Sequence, residues 1–399
     1  MSDIFGGVKA GERAGSAGSP LAGVTVLDFS QVVSGPICAR LLSDLGADVV
    51  KLEPFEGDII RHLEPKVGAD GMSVYFTWAN AGKRSITVNL RDGRGAELAR
   101  QLATSSDVVL ENFRPGLMAS LGLDHASLAA DFPRLIYVSH KGFLPGPYEH
   151  RTALDEVVQM MGGLSYMTGP PGRPLRAGTS VNDIMGGMFG AIGVLAALRE
   201  RDRTGRGQEV QSALFENCVF LSAQNMQQHL MTGEPVPPMP ARVSSWSVYD
   251  VFLLKDDEQL FIGAVSDRQF QILCRVLEVP ELAAEPALAT NEQRVAARAE
   301  LIPRLGAILV HHAVAELVPK LEANGLPYAP IVKPEQLVHD RHLKESGGLV
   351  PMQTEDGGTT DVVLLPITLG GRRLGVRRPL PRAGEDDDDI LGALPSRRR

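Results

Sequence analysis

The chain has 399 residues, 44% of them hydrophobic and 22% charged, with a formal net charge of −8. That length allows a large core and more than one domain, and the composition is that of an ordinary soluble globular protein. An acidic balance without a long basic block argues against a nucleic-acid or anionic-membrane partner. Cys38, Cys218 and Cys274 are scattered, which argues against a disulfide framework or structural zinc and suits a reducing cytoplasm.

Residues 1–20, rich in Gly, Ser and Ala, read as a flexible tail without the apolar core of a signal peptide. From residue 23 the pattern alternates. GVTVLDFS predicts a strand, PICARLLSDLG a helix ending at Gly46, and ADVVKLE a second strand. RSITVNL, the helical GRGAELARQLATSS, DVVLENF and RLIYVSHKGF continue it. Strands separated by helices of this length predict a parallel sheet covered on both faces, with the ligand crevice at the strands' carboxyl ends. DFSQVVSGP follows the first strand where a GxGxxG turn would stand, and GxxxxGK[ST] is absent, so neither dinucleotide nor Walker-type phosphate binding is supported.

Residues 184–201 read as a largely buried helix, and its uncharged stretch, Ile184 to Leu198, is short for a bilayer span. Gly186, Gly187, Gly190 and Gly193 recur at near-helical spacing, which reads as close helix packing. A turn and strand follow in RDRTGRGQEVQSAL, then a helix through FENCVFLSAQNMQQHLM. The Pro-rich TGEPVPPMPAR reads as a linker into a smaller α+β domain. YDVFLLKDDEQLFIGAV predicts two strands around a polar turn there, with helices from about Arg268 to Gly325. GLVPMQ and TDVVLLPITL are β-rich, and an acidic-then-basic tail closes the chain.

The nine histidines form no metal-ligand spacing; His311–His312 reads as a helix-surface pair. GxSxG is absent, which removes a nucleophile elbow. Two carboxylates are left: Asp155 in RTALDEVVQMMGG and Asp183 in SVNDIMGGMFG, joined through the loop MTGPPGRPLRAGTS, which can carry both to one crevice. Asp183 stands directly before the glycine-bearing helix, where it reads either as an N-cap or as a nucleophile. Position leaves both readings open.

GVTVLDFSQVVSGPICARLLSDLGADVVKLEPFEGD resembles the opening of the family III (CaiB/BaiF) CoA-transferases. The likeness continues through NAGKRSITVNLRDGRG, DVVLENFRPGLMASLGL, SVNDIMGGMFGAIGVLAALRERDRTGRGQEV and GLPYAPI, and spans about Pro20 to Leu394. The resemblance implies an interlocked homodimer of ring-like chains, each with a Rossmann-like large domain built from both chain ends and a smaller α+β domain. The implied division is a tail over 1–20, the large CoA-binding domain over 21–225, linker and small domain over 226–330, and a return to the large domain over 331–399.

It also implies that Asp183 is the catalytic nucleophile and Asp155 the second active-site carboxylate. CoA would lie along Val32, Val33, Ser34, Asn112 and Phe113, with Lys83 and Arg84 neutralising phosphates or forming a solvated basic pair. No tightly bound cofactor or metal is implied; coenzyme A and acyl-CoA are substrates. An aspartate attacking a thioester gives a mixed anhydride and CoA thiolate, which returns to give an aspartyl-CoA thioester and free acid. Backbone N–H groups of the segment Met185–Gly187 are the expected oxyanion donors.

Three departures stand out. Val33 occupies a position where some members carry a substrate-contacting Gln, PARVSSWSVYDVF lacks the glycines of a mobile loop, and Asp386 replaces a common His in PRAGEDDDDIL. The rival within the fold, α-methylacyl-CoA racemase, places a His where Leu154 stands, and Leu154 can exchange no proton. A non-catalytic CoA-binding protein is the other alternative. Arg151 and Arg176 are candidate forks for a distal carboxylate or sulfinate, which favours succinyl-CoA as donor and a small dicarboxylate as acceptor.

Overall fold

The computed structural model describes residues 18–68, 71–242, 244–354 and 357–394. Most of the expected N-terminal tail, residues 1–17, lies outside them.

Six parallel strands form the main sheet: Thr25–Asp28 (β1), Asp48–Glu53 (β2), Arg84–Thr87 (β3), Val108–Glu111 (β4), Ile136–Lys141 (β5) and Glu209–Ala213 (β6). Their order is β3-β2-β1-β4-β5-β6, every neighbouring pair is parallel, and β1 lies between β2 and β4. This is the order of a doubly wound sheet, and it places the topological switch point between β1 and β4. The strands read as apolar runs because both faces are covered. Leu27, Val50, Ile86 and Val109 pack into one core layer, and Val26, Val49, Val108 and Val138 into the other.

The longer helices of this region are Ser34–Asp44 (α1), Val74–Asn80 (α2), Gly93–Thr104 (α3), Asp155–Met161 (α4), Val181–Thr204 (α5) and Leu214–Thr232 (α6). At 24 residues, α5 is long and apolar enough to cross a membrane by length and composition. Here its glycine face packs on α1 and the sheet. A Cβ at Gly186 would lie 2.4 Å from Ser34 Oγ, at Gly187 2.7 Å from Ile37 Cγ2, and at Gly193 2.4 Å from Val210 Cγ1. The glycines therefore serve the close packing read from their spacing, although Met188 and Ile192 on the other face are exposed.

The chain divides into two compact units, one running to Pro240 and resuming at His342, the other spanning Ala241–Arg341. The boundaries thus fall at 240/241 and 341/342 rather than at 225/226 and 330/331. Position 225 lies inside α6, whose hydrogen-bonded ladder runs unbroken to Thr232. In the smaller unit Val248–Leu253 (β7) and Gln259–Ala264 (β8) form a hairpin, and Tyr328–Pro330 (β9) pairs antiparallel to β8. Asp267–Val276 (α7), Arg298–Leu309 (α8) and Val314–Ala323 (α9) cover this sheet through Phe270, Leu273, Leu301, Leu305 and Leu317. His311 and His312 occupy the turn between α8 and α9 rather than a helix surface.

After the smaller unit, Leu349–Gln353 (β10) and Thr359–Val363 (β11) form a hairpin, and Asp387–Leu391 (α10) ends the described chain. The acidic closing motif covers the edge strand β3. Asp386 accepts from Arg84 Nε and Ser85 N at 2.9 Å each, and Asp387 accepts from Thr87 N and Thr87 Oγ1 at 2.7 Å each. An edge covered in this way is closed to pairing with another chain.

Candidate active site

At the switch point the loops after β1 and β4 are stapled together. Asn112 Oδ1 accepts from Gln31 N at 2.9 Å, and Asn112 Nδ2 donates to Gln31 O at 2.7 Å. Val32, next in the chain, has φ 67° and is 44% exposed. A β-branched residue in the left-handed region is strained, and such strain collects at functional sites. Val33 precedes α1, which no side chain caps, so the first N–H groups of α1 are left for other acceptors. Ser34 turns its hydroxyl into the core, with Oγ 3.2 Å from His140 Nδ1. The switch point therefore brings the segment Val32–Ser34 beside Asn112 and Phe113.

Lys83 and Arg84 do not join it. Lys83 is 1% exposed, and its Nζ meets Asp28 Oδ2 at 2.9 Å and Asn80 Oδ1 at 2.7 Å. Burial, only partly offset by Asp28, lowers its ammonium to about 8. Arg84 is bound to Asp386 and lies 3.5 Å from Asp48. Neither is a solvated pair or a phosphate clamp; both cations tie strands and chain ends together. The exposed cation nearest the crevice in sequence is Arg114, two residues beyond Asn112 and unpaired among the described residues.

The two aspartates come together at the start of α5. The helix begins at Val181, so Asp183 is its third residue and not its cap. The cap reading belongs to Asp155, which is 4% exposed. Its Oδ2 accepts from Asn182 N at 2.8 Å and Asp183 N at 3.1 Å, two of the N–H groups that a helix start leaves unpaired. Its Oδ1 accepts from Gln159 Nε2. The half-buried Asp183 carboxylate accepts no hydrogen bond from any described residue. Burial, then the negative charges of Asp155 and Glu156, push it up to about 7. Gly186 touches Ser34 one turn further along, so Asp183 stands about 4.5 Å along the axis from the α1–α5 contact.

Met185, Gly186 and Gly187 lie inside α5, where their N–H groups close the helix ladder. Ile184 N donates to Ser180 O at 3.0 Å. The expected oxyanion donors of this segment are therefore already spent.

The model of CoA-transferase family III matches residues 21–387. The chain is 34% identical to the succinate–glutarate CoA-transferase of Agrobacterium fabrum over 94% of its own length and 96% of that protein's. It is 35% identical to the acetyl-CoA:oxalate CoA-transferase of Acetobacter aceti, covering 83% and 87%. The crystal structure of a CaiB/BaiF family protein from Brucella suis superposes with a TM-score of 0.86 at 33% identity, covering 94% of this chain and 99% of that one. The chain belongs to CoA-transferase family III.

As a family III CoA-transferase, the protein takes acyl-CoA thioesters and organic acids as substrates. Leu154, the residue that separates the transferase and racemase readings, directly precedes α4 and is 62% exposed. Of the two expected carboxylate forks, Arg176 is engaged by Glu156. Arg151 lies 4.8 Å above the Tyr148 ring and has no carboxylate partner among the described residues. Among the described residues no cluster of His, Cys, Asp or Glu could hold a metal. Gln159 escaped the sequence reading, although its i, i+4 spacing from Asp155 puts both on one helix face. His140 escaped it too; nothing local marks a lone histidine as the buried partner of Ser34.

Proposed function

We propose that this family III CoA-transferase moves CoA from succinyl-CoA to a small dicarboxylate or similar organic acid, a sulfinate included, with Asp183 as the nucleophile. One observation carries this reading: the Asp183 carboxylate is half-buried, unbonded and raised to about 7, while Asp155 satisfies the helix start in its place. A carboxylate poorly solvated by its surroundings is a stronger base and nucleophile than one in water.

Ionised Asp183 attacks the thioester carbonyl and expels CoA thiolate, leaving a mixed anhydride. The thiolate attacks the aspartyl carbonyl and expels the donor's carboxylate, leaving an aspartyl-CoA thioester. The acceptor carboxylate attacks that carbonyl, forms a second anhydride and releases the thiolate, which takes the new acyl group and regenerates Asp183. Val32, Val33, Asn112, Phe113 and the first N–H groups of α1 hold CoA, with Arg114 beside its phosphates. Unpaired Arg151 faces the distal carboxylate. The names of the relatives, which include glutarate and oxalate transferases, support a diacid.

Asp183→Asn is expected to fold and bind CoA while turnover falls by at least about 1,000-fold, since the covalent route is closed. Hydroxylamine added during turnover is expected to modify the peptide holding Asp183. Near wild-type transfer by the variant, free of deamidation, overturns the assignment. Rapid α-deuterium exchange into a 2-methylacyl-CoA in D₂O would instead favour the racemase.

We read the enzyme as a cytoplasmic, interlocked homodimer. Its three cysteines are unpaired and buried, which suits a reducing compartment. Met188, Ile192, Phe220, Leu230 and Met231 expose apolar surface along α5 and α6, which an isolated soluble chain rarely keeps. Interlocking implies an interface larger than about 2,000 Å². A stable monomer in sedimentation at micromolar concentration would exclude it.

A further inference from the structure

We propose that Gln159 is a positioning residue that governs the ionisation of Asp183 through Asp155. Gln159 is fully buried on α4, one turn after Asp155, and its amide is used at both ends. Nε2 donates to Asp155 Oδ1 and, at 3.4 Å, to Thr179 O; Oε1 accepts from Ala177 N at 2.8 Å. The loop that leads into α5 is thereby tethered to the carboxylate that caps α5. One oxygen of Asp155 faces this amide and the other faces the N–H groups of Asn182 and Asp183. Gln159 thus fixes both the place of the capping charge and the path of the chain that delivers Asp183.

The charges that act on Asp183 both come from α4: Asp155, and Glu156, which is paired with Arg176 of the loop. Along the glycine face that follows Asp183, α1 presents Ser34, Ile37 and Cys38, α6 presents Asn217, and His140 of the sheet lies against Gly190. Cys218 of α6 faces Asp155 and Asn182, and burial pushes both the Cys38 and Cys218 thiols up, so neither is charged near neutrality. Burial pushes His140 down to about 4, so it carries no charge near neutrality. Asp155 is therefore the lever, and Gln159 holds it.

Two substitutions pull that lever in opposite directions. In Gln159→Glu a carboxyl faces Asp155 Oδ1, and its ionisation adds negative charge beside Asp183. In Gln159→Met the donor that holds Asp155 Oδ1 is gone, so the carboxylate is free to turn away from the start of α5 and its effect on Asp183 weakens with distance. The acid limb of kcat/KM is expected to move up by about 0.5–1 pH unit in the first and down by a similar amount in the second. Below the plateau kcat is expected to fall by about 3- to 10-fold in Gln159→Glu and to rise by a similar factor in Gln159→Met, with KM for acyl-CoA changed less than about twofold.

The inference rests on Asp183 being the nucleophile, so a second measurement avoids turnover. Chemical denaturation of each protein with and without Asp183→Asn, across pH 4 to 9, gives the pH at which their stability difference levels off. Opposite displacement of that pH in the Glu and Met backgrounds supports the relay. The same pH in all three backgrounds overturns it. Displacement there with an unmoved acid limb keeps the relay and rejects Asp183 as nucleophile. If Gln159→Met does not fold, the isosteric Gln159→Glu carries the test alone.

Discussion

Asp28, at the end of β1, and Asp183, at the start of α5, are both withdrawn from water, and their surroundings treat them oppositely. Burial raises the Asp28 carboxyl, but the charges of Lys83 and Lys51 and the hydrogen bonds of Ser30 and Lys83 more than reverse it, so it sits below the usual range. Around Asp183 burial meets two further negative charges and no hydrogen bond, and the carboxyl sits near 7. A buried acid supplied with cations is an element of the fold; one supplied with anions is left reactive. Their effects on stability run in opposite directions as well. The Asp28 contribution is complete above its unfolded value near 4 and fades as the pH falls. For Asp183 the folded state favours the protonated form, and that advantage is lost as the pH rises towards 7.

The sharpest way to break this contrast is at Lys83. Lys83→Met leaves Asp28 buried with Ser30 as its donor and Lys51 as the only cation among the described residues acting on it, and is expected to cost about 3–5 kcal/mol in urea denaturation, with much recovered by adding Asp28→Leu. A loss below about 1 kcal/mol would mean that the pair is not an element of the fold. Asp183→Asn is expected to do the reverse. It should stabilise the protein by about 1–3 kcal/mol above pH 7, discounted for partial solvent access, with the gain shrinking towards zero near pH 4. A gain that does not depend on pH would show that no titration of Asp183 underlies it. The smallest effect is expected at Val32, where Val32→Gly relieves the positive φ. The gain is about 1 kcal/mol, after the greater freedom of glycine in the unfolded chain is set against it, with weaker CoA binding. Lower stability of that variant would remove the argument from strain.

The alternation of strands and helices and the glycine face of α5 could be read from residues close together in the chain. Such features depend on period, turn chemistry and short motifs, which folding leaves in place. The roles within them could not. Nothing in SVNDIMGG says that the carboxylate capping its helix comes from Asp155, 28 residues earlier. Lys83 and Arg84 looked like an available basic pair because their partners, Asp28 and Asp386, lie 55 and 302 residues away. Two adjacent glycines looked like a source of free N–H groups until the helix was seen to start at Val181 and absorb them. Which residues have the right chemistry is a local property of the chain. Whether a charge is free or neutralised depends on burial and on partners brought from far along it, and those exist only once the sheet has assembled.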